Sequence, residues 1–461
     1  MKTTLLTLLI VISIVVGSES ALLASQSLDD PSPKRSEQQL SKAMHSLMEE
    51  LPHVTVGRGG AELIGDDNRA LQAAVDYIAG LGGGTVAIRP GQYLMYDSLH
   101  LRTNVTVVGA RGTAGKTILK KADGAVSVLT LDGDFGEQQI TVADPNGFAV
   151  GHGVAIWDDR SGGFHTTVAR ITGRNGNTFS IDKPLMADCM VSRNAKAGTV
   201  FPVVSGYNIE GARIENVIIE GNKESNVHLN GCRGAGIFLY RAFGTVIQGC
   251  EVRNYNGDGI SFQQSNDVIV RSCICQGNAF LGIHPGSGSQ RPDVNNCIAR
   301  NNGTDGLFLC WRVRHGKFEY NTLEGNGRYG ISIGHKDSDN SIYRNQIIGN
   351  HGDGIFFRNE TLPMAAHRNR LEENIIENNG IEEEVAGIRI RGQTNDLELK
   401  GNTIRDTREG ESQKQTVGIK IEEKVGRITI SGNNIQAKRL IDDQRKPKLE
   451  QSQVERKTDD N

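Results

Sequence analysis

The sequence predicts an elongated all-β solenoid, closed at its N-terminal end by a helix and interrupted by a small β insertion. Three observations carry this. At 461 residues the chain exceeds what one compact core usually holds, so it is either several ordinary domains or one repeat structure. With 56 Gly, 11 Pro and 5% aromatics it is turn-rich and aromatic-poor, and Gly stands well above the usual ~7%. A Gly followed by Ile or Leu recurs at Gly236, Gly259, Gly282, Gly306, Gly330 and Gly354, at spacings of 23, 23, 24, 24 and 24. It returns more loosely at Gly387 and Gly418, after 33 and 31 residues. Periods of this size mark a solenoid whose turns bury their apolar side only against one another.

Residues 1–20 read as a secretory signal, with Lys2 ahead of an apolar run over 5–16 and small residues at 17–21. The alternative is an uncleaved anchor. No later stretch approaches the ~18 apolar residues of a membrane span. The expectation is therefore an exported protein, secreted or periplasmic, with no membrane contact after cleavage and working as a monomer. Residues 21–53 hold a linker and an amphipathic helix over 36–51, where Ser36 and Gln39 suit a capping box and Leu40, Met44, Leu47 and Leu51 share a face.

Residues 54–124 carry the helical cap and the first coils. Asp66 or Asp67 caps a second helix, whose stripe of Leu71, Ala74, Val75 and Ile78 would plug the open end of the solenoid. Residues 125–205 break the period, and their short β segments between Gly, Asn and Asp turns suggest an antiparallel excursion able to wall a cleft. The regular coils fill 206–436. After each Gly the apolar residues alternate, as in Ile237 and Leu239, Ile260 and Phe262, or Ile331 and Ile333, which is the period of a strand with one face on a core. The polar tail at 437–461 shows no apolar period and reads as disordered.

A second column runs through Cys250, Cys273, Cys297, Asn321, Asn345, Asn374, Asn402 and Asn433. An Asn recurring once per turn can satisfy backbone groups of its own coil and stack on the next. The cysteines sharing that column read as buried thiols, and an odd total of seven leaves at least one unpaired. These rows resemble the right-handed parallel β-helix of the pectate-lyase-like superfamily, whose coils carry asparagine ladders. The resemblance covers about residues 54–436. It implies the fold but not one activity, since the superfamily includes lyases, hydrolases, epimerases and non-catalytic adhesins.

A net charge of -3, from 51 Lys and Arg against 54 Asp and Glu, removes any whole-protein electrostatic case for nucleic acid. Function must then come from local chemistry. The second and fourth residues after each Gly point out of the coil, so Phe238, Ser261, His284, Phe308, Ser332 and Phe356 should line one face long enough for several sugars. The sharpest patch is Gly334-His335-Lys336-Asp337-Ser338-Asp339, followed one coil later by Arg358 and Glu360. Lys336, Arg358 and His335 are the candidate catalytic residues; His284, Trp311, Arg312 and Glu360 are candidate substrate contacts, with Trp311 offering a ring to stack on a sugar. Asp337 and Asp339 form an Asp-x-Asp pair that could hold calcium; no other cofactor is indicated. The bland alternative pairs Lys336 and Arg358 with Asp337, Asp339 or Glu360 on a solvated rim.

Lys and Arg on successive coils look like the catalytic pair of the chondroitinase and alginate lyase family of the same superfamily. That resemblance implies an acidic polysaccharide as substrate, Lys336 as base and Arg358 as the group neutralising a uronate. In β-elimination the carboxylate must be neutralised before the C5 proton can leave. The family's calcium-binding acids are replaced here by Tyr329, Ile331 and Gly334. A polysaccharide lyase is the leading expectation. A uronate C5-epimerase, a glycoside hydrolase and a non-catalytic carbohydrate-binding surface protein are the alternatives. For the hydrolase, Asn302-Gly303-Thr304-Asp305-Gly306 resembles part of a polygalacturonase motif, while Asp258, Asp305 and Asp353 each precede a strand-opening Gly and suit a turn role.

Overall fold

The computed structural model describes residues 50–111 and 115–446. The expected signal at 1–20 and the helix expected over 36–51, apart from its last two positions, lie outside the described residues. From His53 onward the chain winds into a right-handed parallel β-helix, its coils laying strands on three sheets of 13, 11 and 12 members. The 12-stranded sheet, termed the site sheet, holds the strands that open at the recurring Gly.

The two-residue alternation places one face of each strand inside. Ile237 and Leu239 register with Ile260 and Phe262, and Ile260 with Ile283, and all five are essentially fully buried. One continuous apolar cluster results, running from Val54 to Val425. Its N-terminal end is closed by the helix Asn68–Gly80, where Asp67 accepts the Arg69 backbone N–H as N-cap and Leu71, Ala74, Val75 and Ile78 face the core.

The expected amide column is present. Asn321 donates to Asn345 at 3.0 Å, Asn345 to Asn374 at 3.0 Å, Asn374 to Asn402 at 2.9 Å and Asn402 to Asn433 at 2.8 Å. Cys273 and Cys297 continue the column as thiols donating to backbone carbonyls of Ile247 and Val270. A second ladder, not anticipated from the sequence, runs from Asn278 through Asn302, Asn326, Asn350 and Asn379 to Gln415, at 2.8–2.9 Å per step. It assigns Asn302 of the polygalacturonase-like stretch to structure.

Residues from 126 to 198 form a six-stranded antiparallel sheet with its own core around Ile140, Val154, Ile156 and Phe179. The segment at 227–234 ties this lobe to the helix: Leu229 packs with Ala155 and Val200, and Arg233 Nε donates to the Phe164 carbonyl at 2.6 Å. At the other end, the chain beyond 436 differs from the disordered tail expected. Arg439–Asp443 adds the last strand of the site sheet, in register with Val417–Ile421, because ladder hydrogen bonds need no apolar side chain. Residues 447–461 lie outside the described residues. Among the described residues no helix is long and apolar enough to cross a membrane.

Lys121 marks the joint between coil and lobe. It is fully buried, its ammonium donating to the Thr199 carbonyl at 3.1 Å and to Asn226 Oδ1, and standing 4.4 Å over the Phe201 ring. Burial pulls its pKa from 10.5 down to about 7. Between those values the unfolded chain binds the extra proton, so the folded state gains stability as pH rises, by up to about 1.4 kcal/mol per unit. Buried thiols such as Cys232 and Cys310, whose pKa values burial raises, pull stability the other way over the same range, so the check is a difference: between pH 7 and pH 9 urea titrations should show wild type gaining stability relative to Lys121→Met.

Candidate functional site

The outward residues of the site sheet stack in one row. Ser205, Phe238, Ser261 and His284 are paired from coil to coil, and Phe308, Ser332, Phe356, Arg389 and Lys420 continue it. The order is that expected from the sequence, but the row is not an open surface: Phe238, Ser261, His284, Ser332 and Phe356 are each at most 7% exposed. Two things cover it. Residues 227–234 lie over the first part, where Ser261 Oγ donates to the Gly231 carbonyl at 2.6 Å and a Cβ at Gly231 would overlap the Asp258 carboxylate. Further along, long side chains lie flat on it, with the Arg358 guanidinium 4.6 Å from the Phe308 ring and Tyr329 stacked on Phe356 at 4.1 Å.

His284 therefore sits in the floor rather than at an open rim. Its Nδ1 lies 2.8 Å from Asp258 Oδ2, and its ring meets Phe308 edge-on with centroids 5.2 Å apart. Nε2 is buried without a partner. The other two strand-opening carboxylates are likewise committed to the next coil: Asp305 takes both arms of Arg328 at 2.8 Å, and Asp353 accepts the Ala386 N–H at 2.7 Å. A turn role accounts for all three.

The corner at 334–339 brings some of the expected residues together and separates others. Asp337 is fully buried, accepting the backbone N–H groups of Val313 at 2.9 Å and Gly334 at 3.1 Å, and pairing with Arg358 at 3.0 Å. Burial pushes its carboxyl up to about 7, against the pull of Arg358 and the two amides. Arg358 also donates to Ser332 Oγ at 2.8 Å and to the Leu309 carbonyl. Arg358 is thus ion-paired with Asp337, as in the bland alternative, and this corrects the expectation of a free cation facing substrate.

His335 and Lys336 both adopt left-handed backbone angles, φ 51° and 65°, which turns the chain sharply and sends the two side chains to different neighbours. His335 enters a cluster with Cys310, Trp311 and Glu360. Its Nδ1 is 3.0 Å from Cys310 Sγ, its Nε2 is 2.6 Å from Glu360 Oε1, and its ring centroid is 4.9 Å from that of Trp311. Burial and the Arg358 charge lower the imidazole pKa, while Glu360 opposes them. Trp311 stays exposed at 36%.

Lys336 instead lines an open pocket of about 610 Å³ with Arg312, Arg314, Ser338, Pro363, His367 and Arg368. Behind the lining, Asp339 is clamped by Arg368 at 2.6 Å and Arg314 at 3.0 Å; burial works against its charge, yet the two guanidiniums hold the carboxyl below the usual range. Among the described residues no carboxylate pairs with Arg312 or Lys336. The pocket lining is thus cationic, with Arg312, Arg314, Lys336 and Arg368 and no carboxylate, and the one acid behind it engages only Arg314 and Arg368. Arg312 was anticipated; Arg314, His367 and Arg368 were not. The run Arg312-Val313-Arg314-His315 carried a signal for the first, whereas His367 and Arg368 sit on a coil whose added residues break the 24-residue spacing.

Asp337 and Asp339 do not fit a calcium site. The first is saturated by amides and Arg358, the second by two guanidiniums, and a divalent cation would stand among Arg314, Arg368 and Lys336.

Comparison with known proteins places this geometry in a family. Mannuronan C5-epimerase AlgE6 of Azotobacter vinelandii is 37% identical over 84 residues, 16% of this chain and 9% of that protein. Alginate lyase 7 of the same organism is 27% identical over 190 residues, 34% of this chain and 21% of that protein. The chain thus matches less than a quarter of the length of either curated relative. Among solved structures, the AlgE6 A-module superposes with a TM-score of 0.56 at 17% identity, covering 81% of this chain and 83% of that one, a likeness of fold. The model of the right handed beta helix region matches residues 171–347, 235–404 and 316–435, together more than half of the chain. The chain belongs to the right-handed β-helix family.

Proposed function

We propose that the protein is an exported enzyme acting on an acidic polysaccharide, with the chain of sugars lying across Trp311 and its carboxylates in the Arg312/Lys336 pocket. The observation that carries the reading is that pocket: two cations without acid partners among the described residues, beside an exposed indole. A Trp ring offers a flat apolar face to a pyranose, and an uncompensated guanidinium offers two parallel donors to a carboxylate. The matches to an alginate lyase and a mannuronan epimerase support a polyuronate as the polymer.

The reaction class proposed is β-elimination. Arg312 neutralises the uronate carboxylate, which makes the C5 proton removable because the enediolate no longer doubles the charge on one group. Lys336 takes that proton, being the one nitrogen base of the expected set that lines the open pocket without an acid partner among the described residues. His335 has both ring nitrogens engaged and Arg358 is spent on Asp337. Arg312 thereby replaces Arg358 as the neutralising cation. The second reading, C5-epimerisation, is favoured by the 37% match to AlgE6. It shares the proton removal and diverges afterwards: a proton returns from the other face and the glycosidic bond survives. Hydrolysis is disfavoured, since Asp337 and Asp339 are ion-paired with arginines and Glu360 is held by His335 Nε2.

Incubation with polyuronates in deuterated buffer separates these outcomes. New ultraviolet absorbance from unsaturated ends marks elimination, and deuterium at C5 without absorbance marks epimerisation. Reducing ends alone would sink both in favour of hydrolysis; no product on polymers that bind would leave a binding protein. Lys336→Ala and Arg312→Ala should each lower turnover by about 100-fold or more while leaving stability within about 0.5 kcal/mol. Arg358→Ala should instead destabilise the fold by about 3–5 kcal/mol, because Asp337 would be left buried and unpaired; a calorimetric melt distinguishes the two behaviours.

A further inference from the structure

The cluster behind Trp311 takes no part in elimination or epimerisation, and it has a geometry of its own. Cys310 Sγ and His335 Nδ1 are 3.0 Å apart, and Glu360 Oε1 holds the opposite ring nitrogen at 2.6 Å. The order thiol, imidazole, carboxylate is that of an activated nucleophile: a base within reach of the nucleophile, itself oriented by a third group. All seven cysteines are unpaired, and of the seven only Cys310 has a thiol hydrogen-bonded to an imidazole among the described residues. Three further features bear on chemistry. Burial raises the Cys310 thiol pKa, which Arg358 opposes and Asp337 and Glu360 reinforce, and the Arg358 Nε–H is buried with no acceptor. The half-buried His335 and Glu360 side chains are each 23% exposed, so the cluster opens outward at the exposed Trp311 ring. Cys310 itself is buried, at 8% exposure, but is not part of the continuous apolar cluster of the helix.

We propose that Cys310, His335 and Glu360 form a second catalytic site, a thiol acyl-ester hydrolase that removes O-acyl groups from sugars bound on Trp311. In the first step the sulfur attacks the ester carbonyl as the S–H proton passes to His335 Nδ1, forming a tetrahedral oxyanion for which the free Arg358 Nε–H is the available donor. The carbon–oxygen bond then breaks and the Nδ1 proton goes to the departing sugar oxygen, leaving a thioester on Cys310. Water adds to that carbonyl, giving its proton to His335; the sulfur leaves, regains the proton, and a free carboxylic acid is released. Nothing is oxidised or reduced, and ester plus water become alcohol plus acid. Burial keeps the resting thiol protonated, so the proton transfer accompanies attack, as for a serine nucleophile. Cys310 and His335 are the catalytic residues. Glu360 is a positioning residue that fixes the tautomer leaving Nδ1 free to accept.

The test uses the full chain with para-nitrophenyl acetate and with an O-acetylated polyuronate, and then intact-mass analysis after an acid quench. The expected result is acetate release, a single acetyl adduct on Cys310, and a loss of about 100-fold or more in kcat/KM for Cys310→Ala and His335→Ala. Cys310→Ser, close in size, controls for folding by its melt. Glu360→Gln should lower kcat and move the acidic limb of the pH–rate profile to lower pH, since losing the carboxylate removes what favours the protonated imidazole. A purely structural Glu360 would not move that limb. Cys310→Ala should retain full turnover of de-esterified polyuronate, so failure of this proposal and failure of the elimination reading are told apart. Ester hydrolysis equal in wild type and Cys310→Ala, or no hydrolysis in a folded wild type, or no adduct on Cys310, overturns it.

Discussion

The structure depends on one requirement: the polar groups at each buried corner must find partners in the coil above and below. A coil cannot meet this alone, because turning the backbone inward leaves amides with no partner in their own strand, and a buried unpaired donor or acceptor costs about 1–3 kcal/mol. The two Asn ladders answer it by making each side chain both donor and acceptor, as Asn326 does in receiving from Asn302 and giving to Asn350 at 2.9 Å each. Register is fixed by the same bonds. Slipping one coil by a residue would unpair its rungs, so the corners stay aligned through the six consecutive coils spaced at 23 or 24 residues.

The candidate site lies where the same requirement is met differently. At the corner after the site sheet the column runs through Ser265 and Ser289, Ala242 N–H bonding Ser265 at 3.0 Å and Ser265 N–H bonding Ser289 at 3.1 Å. Two coils on, Asp337 accepts the Val313 N–H in the corresponding manner at 2.9 Å. A carboxylate in a position suited to a neutral rung brings a charge that needs a cation, and Arg358 is drawn down to supply it. Immediately before that carboxylate, His335 and Lys336 both take left-handed conformations, one facing a thiol and an indole, the other a pocket of guanidiniums. Structural and chemical roles are thus coupled through one buried ion pair.

The repeat made most of the fold legible. Gly and alternating Ile or Leu identify the strands of the site sheet, the Cys–Asn column identifies one ladder, and Asp67 with Leu71, Ala74 and Val75 identifies the capping helix. The second ladder escaped notice because Asn278, Asn302 and Asn326 sit among other turn residues, where Asn has many local uses. For the site, the sequence named side chains of the corner at 334–339 and its neighbouring coil but not their partners. Lys336 and Arg358 are 22 residues apart in the chain, and spacing alone could not distinguish two cations sharing a substrate from one cation buried on Asp337. Nor could it show that residues 227–234 would lie over His284, since Gly231 meets Asp258 only through the fold.

The spacing after Gly354 lengthens to 33 and then 31 residues, yet the rung from Asn345 to Asn374 is 3.0 Å, the same as that from Asn321 to Asn345 within a regular coil. Extra chain is therefore accommodated wholly at the margin, where it supplies Glu360, Pro363 and His367 to the site. The scaffold and its chemical edge are inherited as separable parts: a change in the length of one connection can remake the wall of the pocket, or erase it, while the interior keeps its count. A lineage of such helices could diversify by trimming and extending a single border, as one alters a garment at the hem and leaves the weave alone.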